Sequence, residues 1–162
     1  MKRVLVAYAS NMDATQEIAR AIGSELRAAG MDVDVRPVGD VYGVDNYQAV
    51  VIGSTLYANR WPRAAVRLLK QHGAELARRR VWLFHAPAGA VSDGTQLALP
   101  GNVASLVAKI GAEQVVTFGD ELVPAKTDVP TAQVSRFRDW DRIRAWASEV
   151  AGEIAGRSTA AS

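Results

Sequence analysis

The sequence predicts an α/β domain on a five-stranded parallel sheet, doubly wound in the order 2-1-3-4-5, with helices on both faces. Three observations carry this expectation. Short Val-, Ile- and Leu-rich runs recur at residues 3–8, 49–54 and 81–84 without polar alternation, which suits strands buried on both faces. Segments of helical periodicity separate them, as parallel strands require. The crossovers are short, which favours winding outward in both directions from the first strand.

Residues 3–8 form the first strand. A helix follows over 14–29, with Ile18, Ile22, Leu26 and Ala29 on one face and Gly30 as its stop. Residues 32–37 alternate polar and apolar and end at Pro37, the mark of a half-exposed edge strand. A loop over 42–47 leads to a central strand over 49–54. Pro62 suits the first turn of a helix over 62–69, and 74–79 add a helical turn after Gly73. The strand 81–84 runs into a loop over 86–100 with Pro87, Gly89, Gly94 and Pro100, long enough to suggest function. A helix over 103–110 stops at Gly111, 114–118 form the fifth strand, and 120–135 are irregular. The last helix starts near Asp139 with Trp140, Ile143, Ala147, Val150 and Ile154 on one face; Trp146 sits with Trp140 as its core and rim.

The chain has 162 residues, 49% hydrophobic and 22% charged, which fits one domain over 1–156 with a tail over 157–162. A formal charge of +2 with scattered basic residues excludes a nucleic-acid footprint; Arg78-Arg79-Arg80 reads as a solvated helix end. There is no Cys, so disulfides, thiol catalysis and thiolate metal sites are excluded together, and any redox chemistry must come from a bound cofactor. Met1-Lys2-Arg3 leads into a β-branched run with no signal-peptide pattern, and no apolar segment approaches the ~20 residues of a membrane span. A cytoplasmic protein is expected.

Ligands of such sheets bind beyond the carboxyl ends of the strands, where the winding direction switches. That places three loops at the site: residues 10–15, 54–61 and 85–94. The first, Ser10-Asn11-Met12-Asp13-Ala14-Thr15, joins a strand to a helix and has the architecture of an anion site, with unpaired helix N–H groups, the positive end of the dipole and hydroxyls at Ser10 and Thr15. Asp13, with Gln16 three residues on, also fits a capping box in which the carboxylate takes those N–H groups itself. In the second loop Tyr57 and Trp61 suit either a planar ring between them or cover for the sheet edge. Arg60 suits an anionic group or plain solvation. His85 suits a donor or proton relay, or a satisfied structural role. His72 reads as surface. Two His without paired spacing argue against a metal site.

The segments 4–10, 49–61 and 137–146 resemble flavodoxin-domain proteins of the group that includes flavodoxin-like protoporphyrinogen dehydrogenases. This resemblance implies a flavodoxin-like fold and non-covalent flavin mononucleotide (FMN). It also implies a flavin-dependent oxidoreductase or electron-transfer protein, with a redox partner or a small substrate such as a quinone or porphyrinogen; a deazaflavin is a further option. It assigns the cofactor to Ser10, Asn11, Met12, Asp13, Ala14 and Thr15, to Ser54, Thr55, Leu56, Tyr57, Ala58, Arg60 and Trp61, and to His85, Pro87, Ala88 and Gly89. The first loop of that family resembles Ser-x-x-Gly-Ser/Thr-Thr, whereas the last three positions here are Asp13, Ala14 and Thr15. A flavin phosphate facing the Asp13 carboxylate at ~4 Å would be repelled by ~4 kcal/mol at an effective dielectric of 20, more than the ~0.3–2 kcal/mol returned by the helix dipole. The alternative is therefore a cofactor-free interaction module with its phosphate site closed by Asp13. Ala and Pro in the third loop, and Glu121 where a basic residue is expected, also favour it.

Overall fold

The computed structural model describes residues 2–9, 13–87, 90–91, 97–112, 115–118, 120–121 and 140–156. Continuous apolar runs become the centre of a five-stranded parallel sheet: β1 (Arg3–Ala9), β2 (Asp32–Pro37), β3 (Ala49–Leu56), β4 (Arg80–Pro87) and β6 (Val115–Thr117). Their order is β2-β1-β3-β4-β6, the 2-1-3-4-5 arrangement once a short extra strand is set aside. In register, Tyr8 lies beside Gly53, Gly53 beside Phe84, and His85 beside Thr117.

Alternate residues of each strand feed two cores, because successive side chains leave opposite faces of a sheet. Val4, Val6, Val51, Trp82 and Phe84 pack under α1 (Asp13–Ala28) and α5 (Trp140–Ile154). Leu5, Ala7, Val50, Ile52 and Leu83 pack under α2 (Arg63–Gln71), α3 (Gly73–Leu76) and α4 (Gly101–Ile110). Helices therefore cover both faces. Gly111, at φ 65°, ends α4 in the left-handed conformation that favours Gly.

Several boundaries differ from the sequence reading. Helix α1 begins at Asp13 rather than after it and ends at Ala28, so Ala29 lies past its end and is exposed. Strands β3 and β4 run beyond their hydrophobic runs to Leu56 and Pro87, because Ser54, Thr55 and His85 are buried with hydrogen-bond partners. A 3₁₀ turn at Val38–Asp40 follows β2. The supposed loop after β4 holds β5 (Ala90–Val91), which pairs in parallel with β7 (Asp120–Glu121) in a separate two-stranded ladder. Part of the segment expected to be irregular is thus strand; residues 122–135 lie outside the described residues. Trp146 is the buried member of the tryptophan pair and Trp140 the rim. His72 is half-buried at the end of α2 rather than fully on the surface.

Candidate functional site

The winding direction switches between β1 and β3, and there a side-chain bond ties two of the three loops together. Thr15, in the first turn of α1, is buried, and its Oγ1 lies 2.9 Å from Thr55 Oγ1 near the end of β3. Two hydroxyls facing each other inside the protein satisfy part of each other's hydrogen-bonding need and hold the helix start against the strand end. The Thr15 hydroxyl thus faces Thr55 at the junction of the first two loops. Ser54 is buried and donates to Thr55 O at 2.9 Å, so its hydroxyl is engaged as well.

Beyond Leu56 the chain reverses in a two-residue hairpin. Tyr57 N–H donates to Arg60 O at 3.1 Å and Arg60 N–H to Tyr57 O at 2.9 Å. Ala58 and Asn59 both have positive φ, 50° and 59°, as a type I′ turn demands. Asn suits this region; Ala has no side-chain means of easing it. The turn carries Tyr57 out to solvent, 71% exposed, and returns the chain to Trp61, 2% exposed. A cleft of about 470 Å³ opens between them, lined by Thr55, Tyr57, Ala58, Arg60, Trp61, Pro62 and Arg63. That volume lies within the usual small-molecule range of roughly 300–1,000 Å³.

Tyr57 and Trp61 do not form two walls of a sandwich. Trp61 N–H donates to Asn102 Oδ1 at 3.4 Å, and Asn102 Nδ2 donates back to Trp61 O at 3.0 Å. This paired clasp to α4 holds the indole inside, edge-on to His85 with ring centroids 6.1 Å apart. The indole Nε1–H donates to His85 Nδ1 at 3.3 Å, which requires the proton of the neutral imidazole on Nε2. From there it faces Thr117 Oγ1 at 3.0 Å and Leu97 O at 3.2 Å. Leu97 N–H in turn donates to Thr117 Oγ1 at 2.8 Å. Burial depresses the His85 pKa from 6.5, against a smaller upward pull from Leu97 O. His85 is thus a satisfied core histidine tying β4 to β6, with both nitrogens occupied, rather than a donor offered to the cleft.

Pro87 closes β4 in register with Leu56, so the second and third loops leave the sheet side by side. Arg60 is exposed at the cleft mouth with no ion pair among the described residues. Ser10, Asn11, Met12, Ala88 and Gly89 lie outside the described residues, as do the side chains of Asp13 and Ala14. Glu121 lies in β7, so its segment is tied by backbone pairing to the third loop. Among the described residues no group of three His, Asp or Glu is placed to hold a metal ion, and no helix is long and apolar enough to cross a membrane.

Sequence reasoning missed the tight turn at Ala58-Asn59, the Asn102 clasp, Thr117 beneath His85, and Pro62 and Arg63 as cleft walls. Only Asn59 carried a signal, its tolerance of left-handed backbone. The partners of Trp61 and His85 lie 41 and 32 residues away, where no local pattern reports them.

The cleft lies beside an exposed aromatic, and the Thr15–Thr55 bond holds the start of α1 next to Thr55 in its wall. The family described as flavodoxin domain matches residues 5–109. Among solved structures, the chain is similar to the rubredoxin oxygen:oxidoreductase of the anaerobe Desulfovibrio gigas, at 15% identity and TM-score 0.66, over 97% of this chain but 37% of that one. It is also similar to a flavodoxin from the domain Archaea, at 16% identity and TM-score 0.63, over 94% of this chain and 99% of the other. Flavodoxin 2 of Bacillus cereus superposes with 19% identity and TM-score 0.59, over 96% and 99% of the two chains. Among curated protein sequences none matches the chain.

Proposed function

The chain belongs to the flavodoxin-domain family, and we propose that it binds FMN non-covalently and serves as an electron-transfer protein or oxidoreductase. The observation that carries this reading is the Thr15–Thr55 bridge, which holds the first turn of α1 beside the cleft under Tyr57. A ring seated in the cleft would lie against Tyr57, with its phosphate toward the unpaired N–H groups at the start of α1. Trp61 would form the floor, held rigid by His85 behind it; Arg60 and Arg63 would stand at the mouth. The flavin would supply the electron chemistry, and the protein its orientation and electrostatics. A quinone or porphyrinogen as substrate and membership of the protoporphyrinogen dehydrogenase group belong to the same proposal and rest on the sequence resemblance. A deazaflavin would meet the same cleft.

One observation favours the cofactor-free alternative. Asp13 is the first residue of α1, where the helix dipole stabilises negative charge, so its carboxylate would compete with a phosphate there. A titration of apoprotein with FMN and riboflavin, followed by absorption and fluorescence, separates the readings. Flavin binding predicts a perturbed FMN band and quenched emission; a colourless protein that ignores FMN up to millimolar concentration rejects it. Asp13→Gly is expected to tighten FMN binding by about tenfold or more and to leave riboflavin nearly unchanged. If riboflavin gains as much, loop geometry rather than charge is at work.

A further inference from the structure

Helix α2 breaks the charge rules of an ordinary surface helix. Its first turn has no acidic residue and opens with Arg63, a cation at the positive end of the dipole. Arg63, Arg67 and Lys70 follow at spacings of four and three, so like charges neighbour one another on a single exposed face over about 10 Å. Arg60 extends the stripe to the cleft. No Asp or Glu occurs between Asp45 and Glu75, and none of the four cations has an ion pair among the described residues. A hollow of about 680 Å³ runs along the stripe, with Asn102 and the half-buried Val66 on its walls and no carboxylate among the described residues. It shares Arg60, Trp61 and Arg63 with the cleft, so the two are continuous.

Arg63 set against the dipole, and cations set against each other along one face, mark a surface kept for something other than helix stability; Lys70, in the last turn, alone suits the dipole. We propose that the α2 stripe, with the exposed Tyr57 at its end, docks an acidic protein that exchanges electrons with the cleft. The redox character of that partner rests on the flavin reading; the docking does not. Charge complementarity names the occupant: a face of carboxylates would meet four exposed cations around an exposed aromatic, and Tyr and Arg are the residues that anchor protein interfaces. A nucleic acid or an anionic membrane is disfavoured because the basic run is short and the rest of the molecule repels polyanions. Removing these four cations from a chain of formal charge +2 leaves −2.

The test is calorimetric titration of the full chain with an acidic [2Fe–2S] ferredoxin as probe, at low and at physiological ionic strength. Duplex DNA and phosphatidylglycerol vesicles serve as competing probes. Arg63→Gln/Arg67→Gln/Lys70→Gln is compared with Arg20→Gln/Arg78→Gln/Arg144→Gln, which removes the same charge from other exposed positions. Expected is salt-sensitive ferredoxin binding that the stripe variant weakens by about tenfold or more and the control far less. Equal weakening by both variants, no ferredoxin binding, or tighter stripe-dependent binding of DNA or vesicles would overturn the proposal. Calorimetry needs no flavin. Ferredoxin that docks but finds no flavin to reduce would contradict the proposed function and leave the docking surface standing.

Discussion

His85 is held as a neutral imidazole between Trp61, Thr117 and Leu97, and protonation would put a charge on a buried ring. Its folded pKa is depressed below 6.5, so below that pH the unfolded chain takes up a proton that the native protein refuses. The His85 contribution to stability is therefore full above about pH 6.5 and lost as pH falls towards the folded pKa. Thermal melts across this range should show that slope, and His85→Gln, though less stable, should flatten it; an unchanged slope would mean that another group titrates. Ala58 makes the opposite kind of prediction. At φ 50° it bears roughly 1–2 kcal/mol of steric cost, against roughly 0.5–1 kcal/mol of chain entropy that Gly would add, so Ala58→Gly should stabilise by a few tenths to ~1 kcal/mol in denaturant titration. At this scale the sequence announced which residues matter better than what they touch. Trp61 and His85 were legible as loop-end side chains, but their inward orientation depends on Asn102 and Thr117, which only the folded chain brings near.

Between elements, the packing turns on one close approach and one bridge. Phe84 lies across Gly53 on the neighbouring strand, where an added Cβ would come within 2.0 Å of Phe84 Cζ. The ring is hemmed in by Phe118 and Trp146, with centroids 6.0 and 6.2 Å away, so it has little freedom to move aside. Gly53→Ala should therefore destabilise by about 1–3 kcal/mol, read as a lower denaturation midpoint at unchanged slope. The Thr15–Thr55 bridge joins α1 to β3, and Thr→Val at each position alone and together should show a coupling of about 0.5–3 kcal/mol. Additive losses would mean that the two hydroxyls act independently. Element type and order were legible because buried parallel strands and amphipathic helices leave strong periodic signals. Strand ends were not: hydrogen bonding keeps Ser54, Thr55 and His85 inside the sheet after the hydrophobic run has stopped. The β5–β7 ladder was illegible for a similar reason, since two-residue strands have no period.

Across the whole molecule, a near-balanced charge hides an uneven distribution. The cations of α2 flank the cleft, whereas Arg3 and Arg36 pair with Asp34 at the sheet edge and Arg79 and Arg80 pair with Glu75 and Glu153. Counting charges along the chain could not separate paired from unpaired Arg, which is why the stripe emerged only in three dimensions. The strand order, by contrast, was legible in full, because connection length and the both-face burial of β1, β3 and β4 admit few topologies. The central claim is that the cleft at the Tyr57 turn, with the start of α1 held beside it by the Thr15–Thr55 bond, holds FMN. Its most direct test is titration of isotopically labelled protein with FMN, following the backbone amide signals. The account predicts saturable shifts at residues 13–15 and 54–61, extending to His85 and Ala86, with α3 and the far ends of the strands unmoved. No shift up to millimolar FMN, or shifts confined to another surface, would contradict it.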